Sequence, residues 1–259
     1  MIEKIIHFSD LHIRLFKDHD LYKKILKQAF FEWKSVAPNR IVFTGDLVHS
    51  KNQMTPELIE FVAWVLNECS KIAKTIVIIG NHDFLENNMS RLDALTPIVE
   101  SLQNENVVYY KDRGVYKDEN IEWCVYSLME HNIPPDMDKN DNLKIGLFHG
   151  PVQGLTTDVG YKFEEGFSVD KFKGCDLVLC GDIHKRQVFD IPNGKKAYMV
   201  GSTIQQNFGE TIRKHGYGIY NVVKNEYNFV DIENPKPFLS FKIESIEDLE
   251  NGTERLLNY

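Results

Sequence analysis

The sequence predicts an α/β protein, and three observations predict it. Five short apolar runs rich in β-branched residues read as buried strands: IIHFSDLH, IVFTGDLVH, TIVIIGNHD, KIGLFHG and LVLCGDIH. Early in the chain such runs alternate with stretches of helical periodicity, while the second half is richer in strands. Each run also ends in turn residues bearing a carboxylate, amide or imidazole. Side chains placed just past parallel strands converge on one sheet edge, where open α/β sheets hold their active sites.

Taken in order, IIHFSD opens the chain as a strand. A helix follows over about residues 20–34, with Leu21, Tyr22, Ile25, Leu26, Ala29, Phe30 and Trp33 on one face. RIVFTG is the next strand. A second helix starts at Thr55-Pro56, where Thr55 can cap and Pro56 fits the first helical position. Leu58, Ile59, Phe61, Val62, Val65, Leu66, Cys69 and Ile72 form its apolar side. After TIVIIG, a third helix is expected from Ser90, with Asp93 as its capping-box partner and Pro97 kinking or splitting it. VVYY, GVYK and IEWCVYSL read as a meander, and HNIPPDMDKNDN as a polar loop. KIGLFHG and DLVLCGDIH flank a connection over residues 150–175. QVFDI, a PNGK turn and KAYMVGS come next, then a hairpin of YGIYNVV and EYNFVDI.

With 259 residues and 42% hydrophobic content, the chain can bury one large domain, or one domain and a small appendage. The net charge of −8 argues against a generally basic nucleic-acid coat. Nucleic acid stays open as a partner, because bound divalent cations bring positive charge where a phosphate sits. Cys69, Cys124, Cys175 and Cys180 show no zinc-like pairing and suit a reducing compartment, with Cys180 a small core residue. MIEKIIHFSDLH runs straight into a strand without a signal-peptide pattern, and no apolar run approaches membrane-spanning length. The expectation is a soluble cytoplasmic protein.

The strand ends together supply Asp10, His12, Asp46, Asn81, His149, Asp182 and His184. Carboxylate, imidazole and amide oxygen in this mixture suit manganese, iron or zinc better than calcium. Seven ligands are too many for one transition ion and fit two if a carboxylate bridges. Two ions roughly 3.5–4 Å apart clamp a phosphoryl ester during displacement. A nucleophile elbow and a phosphate-cradling glycine loop are both missing from the chain, which agrees with chemistry that needs no covalent nucleophile.

In this order, D-x-H, G-D-x-x-H, G-N-H-D, H-G and G-x-x-H resemble the calcineurin-like metallophosphoesterase superfamily over roughly residues 1–205. The resemblance implies a four-layer α-β-β-α sandwich of two mixed sheets flanked by helices. It also implies roles. Asp10, His12 and His184 would hold a first ion, Asn81, His149 and Asp182 a second, and Asp46 would bridge them. His82 would contact the phosphate and protonate or stabilise the leaving oxygen, with Asp83 orienting its ring, and His49 would sit near the substrate phosphate. One position departs from the family pattern. The last motif usually reads G-H-x-H, and here Asp182 replaces an imidazole, a harder donor that favours manganese or magnesium over zinc. His7, His19, His131 and His215 fall outside the motifs and are read as non-ligands.

GSTIQQNFGE (residues 201–210), GNHDFLENNMSRLDALTPI and GDLVHSKNQMTPELI resemble the SbcD-like DNA repair and recombination nucleases, particularly phage and viral versions. That resemblance implies two divalent ions, manganese foremost, with magnesium or iron as alternatives. It implies 3′-to-5′ exonuclease action on duplex ends and endonuclease action on single strands, by water attack on the phosphodiester. It further implies a homodimer through helices near 56–73 and 91–102, an SMC-like ABC ATPase partner (SbcC-like), and a cytoplasmic or nucleoid-associated place in a bacterium or phage-infected cell. Lys185, Arg186 and Arg213 are candidate DNA-phosphate contacts, against the plainer reading of a solvated surface. On length the chain departs from that subgroup. Residues 1–235 would form the nuclease domain, and 236–259 only a short C-terminal extension, the start of a truncated or missing capping domain. Two other readings share the same ligands: a phosphoesterase acting on small substrates or phosphoproteins, and a non-catalytic interaction module.

Overall fold

The computed structural model describes residues 1–240 and Ser245. Two mixed sheets of six strands pack face to face. The first holds β1 (Lys4–Phe8), β2 (Arg40–Thr44), β3 (Lys74–Ile78), β4 (Val107–Tyr110), β11 (Gly216–Asn221) and β12 (Glu226–Asp231), in the order β12-β11-β1-β2-β3-β4. Its four early strands are parallel, and the late hairpin adds antiparallel to β1. The second sheet holds β5 (Gly114–Asp118), β6 (Ile121–Tyr126), β7 (Leu143–His149), β8 (Leu177–Gly181), β9 (Gln187–Ile191) and β10 (Lys195–Met199), in the order β5-β6-β7-β8-β10-β9. Its central strands β6, β7, β8 and β10 are parallel.

Alternation along the strands explains the layers, because successive side chains face opposite ways. Ile5, Val42, Ile76, Trp123, Val125, Ile145, Leu147, Leu177 and Leu179 fill the space between the sheets. Ile6, Phe8, Ile41, Phe43 and Val77, one residue out of step, face the helices instead. α1 (His19–Val36) and α2 (Pro56–Ser70) bury Ile25, Leu26, Phe30, Trp33, Phe61, Val62, Val65 and Leu66 there. The outer face of the second sheet carries Cys124, Tyr126, Phe148, Val178 and Cys180. It is covered by the 150–175 connection through Val152, Phe167 and Phe172. Each large apolar side chain so buried contributes roughly 1.5–3 kcal/mol. Arg40 at the start of β2 grips Asp118 at the end of β5 with two hydrogen bonds of 2.7 and 2.6 Å, pinning the sheets together at the end away from the ligands.

Thr55 caps α2 through the Leu58 amide at 3.3 Å, with Pro56 in the first turn. The third helix differs from expectation. α3 spans only Thr96–Leu102, and residues 90–95 form bends and turns. Asp93 is the reason. Its Oδ1 accepts from the Leu95 and Thr96 amides and its Oδ2 pairs with Lys111, so it terminates the loop ahead of Pro97. The expected meander is also divided. β4 adds parallel to β3 in the first sheet, while β5 and β6 open the second. The expected C-terminal extension lies outside the described residues beyond position 240, apart from Ser245. Before that point, Phe238 exchanges two backbone hydrogen bonds with the Gln205 side chain, at 2.8 and 3.1 Å.

Candidate metal centre

The carboxyl ends of β1, β2 and β3 meet those of β7 and β8, so the motif loops of both sheets face one cleft. The chain must turn sharply there. Asp10, His12, Asp46 and Asp182 all take left-handed backbone conformations, with φ of 53°, 46°, 61° and 97°. Each such residue costs on the order of 1–3 kcal/mol and persists only where its surroundings enforce it. Space is equally tight. A Cβ on Gly80 would run into the Asp46 amide and carboxylate, and one on Gly45 into the His149 ring. Glycine precedes the ligand because the loops of the two sheets must touch.

Asp46 stands between two groups of donors. One of its oxygens, Oδ2, lies 3.5 Å from His12 Nε2. That nitrogen faces His184 Nε2 at 3.0 Å, and Asp10 Oδ1 lies 3.9 Å from both. The other oxygen, Oδ1, lies 3.4 Å from His149 Nε2, which faces Asn81 Oδ1 at 2.9 Å and Asp182 Oδ1 at 3.8 Å. The tautomers of two rings are set from behind. His149 Nδ1 donates to the Thr44 carbonyl at 2.6 Å, and His184 Nδ1 donates to Glu210 at 2.7 Å. Their Nε2 lone pairs therefore point at other lone pairs, an arrangement that repels unless a proton or a cation lies between. The donor chemistry and the paired convergence fit two divalent cations sharing one carboxylate.

Electrostatics point the same way. Burial opposes charge on Asp46, but His149 and His12 outweigh it and hold its carboxyl well below the usual range. Burial also opposes charge on His149, yet Asp46, Asp10 and Asp182 raise its pKa well above that of an ordinary imidazole. For His184 burial is again overcome, here by the Glu210 hydrogen bond and by Asp10, and the pKa rises to about 9. Burial pushes the Asp182 carboxyl up to about 6, although His149 pulls it down. The site attracts positive charge and, without a cation, binds protons in its place.

His12, His49 and His82 each bring a ring nitrogen within 4.8 Å of the others, on the open side of the cleft. His82 Nδ1 donates to the His49 carbonyl at 2.8 Å, leaving Nε2 free. Asp83 corrects the sequence reading, because it does not orient the His82 ring. Its fully buried carboxylate points away and accepts from the Asp46, Leu47, Val48 and Gly80 amides at 2.9–3.1 Å. Four main-chain donors leave it no lone pair aimed at the ring.

The proposed DNA contacts lie apart from the ligands in differing degree. Arg186 is committed elsewhere: its side chain is only 7% exposed, bonded to Asp231 and to the Val230 carbonyl. Lys185 donates to Thr156 at 2.8 Å, and Arg213 is exposed. His7 is buried between Tyr227 and Thr44, and His215 between Ser202 and the Thr211 carbonyl. His19 donates to the Arg14 carbonyl. Sequence reasoning missed Glu210, although it ends the GSTIQQNFGE stretch. Its Oε2 also accepts from the Gln206 amide at 2.8 Å, folding that stretch against His184.

Residues 3–186 match the calcineurin-like phosphoesterase family, and the chain belongs to it. Proteins of this family typically bind two divalent metals and hydrolyse phosphoesters. The chain is also 35% identical over 257 residues to an uncharacterized protein of Acanthamoeba polyphaga mimivirus, a match covering 93% of this chain and 19% of that protein. It thus spans about a fifth of the length of that relative. Among the described residues, no helix is long and apolar enough to cross a membrane.

Proposed function

We propose that this phosphoesterase domain is a DNA nuclease that hydrolyses phosphodiesters with two divalent cations. The observation that carries the two-cation reading is Asp46, whose two oxygens face two separate donor groups. Asp10, His12 and His184 would hold one cation, and Asn81, His149 and Asp182 the other. Two bound cations would supply the positive charge that polarises the phosphoryl oxygens and acidifies water. The chain's own residues do the rest. Glu210 and the Thr44 carbonyl keep His184 and His149 in the tautomer whose Nε2 carries a lone pair for a cation. His82, tethered through Nδ1, presents Nε2 to hold or deliver a proton at the leaving oxygen. His49 stands beside it, their rings 5.7 Å apart, where a phosphoryl oxygen would be met.

Support for DNA as substrate comes from the 201–210 stretch that resembles the SbcD-like nucleases. It lines the cleft with Gln206 and Asn207, and it carries Glu210. The same reading brings a manganese preference, an SMC-like ABC ATPase partner, and a homodimer through α2 and the 91–102 segment, where Ile59 and Leu92 are exposed. The test is cleavage of labelled duplex and single-stranded DNA in manganese, with His82→Ala as control. Manganese-dependent cleavage lost in the variant is expected. Intact DNA alongside rapid turnover of a small phosphoester would replace this reading with a small-substrate phosphoesterase.

A further inference from the structure

Among the described residues, a guanidinium at the rim of the cleft has no carboxylate partner. Arg14 stands two residues past His12 and lines the cleft with His12, His49 and His82. Its Nη2 donates to the Gln206 carbonyl at 3.3 Å. Among the described residues it makes no ion pair, whereas Arg40, Arg113 and Arg186 each engage a carboxylate: Asp118, Glu130 and Asp231. A half-buried guanidinium without an anion partner keeps N–H donors available to an anion that arrives in the cleft.

The cleft continues past this side chain. Arg14 and Gln206 also line an adjoining groove that carries Lys17 and Lys236. Among the described residues, both lysines are exposed and unpaired, and Asp18 is the sole carboxylate lining that groove. Three cations against one carboxylate, counted among the described residues, run counter to a chain whose net charge is −8. A lone phosphoryl group seated at the metal ligands has no use for this second cationic stretch. A polymer with a phosphate at every residue does.

We propose that Arg14, with Lys17 and Lys236 beyond it, binds the phosphates flanking the scissile one in a DNA strand. The inference rests on the nuclease reading and deepens it. Arg14 would distinguish a strand from an isolated phosphodiester, through a planar donor fork suited to phosphate oxygens.

The experiment compares wild type, Arg14→Ala, Arg14→Lys and Lys236→Ala in the full chain with manganese. Two substrates are used: a short single-stranded oligodeoxynucleotide, and bis(p-nitrophenyl) phosphate, which has no flanking phosphate. For Arg14→Ala, kcat/KM on the oligonucleotide should fall about tenfold or more, mainly through KM, and several times further than on the small ester. The slope of log kcat/KM against log salt should flatten by about 0.7 per lost contact. Arg14→Lys should restore the slope, and Lys236→Ala should act in the same direction more weakly. Equal losses on the two substrates, or no loss on either, overturn the proposal while wild-type DNA cleavage leaves the nuclease reading standing. If the wild type hydrolyses the small ester and leaves the oligonucleotide whole, the nuclease reading falls and takes this inference with it.

Discussion

The two donor groups that share Asp46 are built differently. One offers two imidazoles, His12 and His184, with the fully buried Asp10, and its His184 is buttressed by Glu210. The other offers one imidazole, an amide and Asp182, whose carboxylate is 19% exposed and stands 3.8 Å from His149. The first is rich in nitrogen and the second richer in oxygen, while each has one partly exposed member, His184 at 24% and Asp182 at 19%. Imidazole suits zinc, copper and iron, while carboxylate and carbonyl oxygens suit manganese and magnesium. The two halves therefore differ in the ions that their donor atoms suit.

The largest test of that contrast is its shared member. Asp46→Ala should release both cations and reduce phosphodiester hydrolysis by about a thousandfold or more, as loss of preorganised electrostatic stabilisation does. Metal analysis that finds one cation still at full occupancy would make the groups independent. His82→Ala removes a ring that neighbours His12 but is assigned to neither group. It should lower kcat by about 10²–10⁴ with metal content unchanged, so co-loss of metal would place His82 among the ligands instead. Glu210→Gln should weaken only the nitrogen-rich side, by about 10–100-fold in metal affinity, leaving the second cation bound. Equal weakening of both would show that Glu210 supports the whole centre and not one side of it. Asp182→His should make the two groups alike, and the ratio of zinc to manganese retained after dialysis should rise; an unchanged ratio would mean Asp182 does not set the difference.

The smallest effect is with pH. In the cation-free site, His149 and His184 are held above the ordinary imidazole pKa, His184 at about 9. A cation must expel those protons, so manganese affinity should strengthen as pH rises towards 9 and weaken as it falls. Calorimetry in buffers of different ionisation enthalpy should show proton release on binding, and zero release would contradict the assignment.

The ligand loops were legible because a glycine, a ligand and a strand end recur together, and the close contacts of Gly45 and Gly80 show why the spacing is enforced. What lies beyond a single loop was not legible. His82 and Asp83 adjoin in sequence, which invites a shared role, yet successive peptide units send the carboxylate to the amides beneath and the ring to the cleft. Glu210 is 26 residues from His184, and no local pattern announces that pairing. β4 and β5 look like neighbours in a meander, because alternation reports which face is apolar and not which sheet a strand joins. Asp93 carried a true signal for helix initiation, but sequence spacing placed the start at Ser90 rather than Thr96. Arg14 had no motif to mark it; only its missing partner does.

Asp83 ties residues 46–48 to Gly80 through four amides, so the loop bearing Asp46 and the loop leading to Asn81 move as one. The distance between those two ligands is settled during folding rather than when an ion arrives. A hoop of fixed circumference discriminates by radius: calcium needs its oxygens about 0.3–0.5 Å further out than magnesium does. Part of the choice among cations thus rests with a carboxylate that no cation would ever touch.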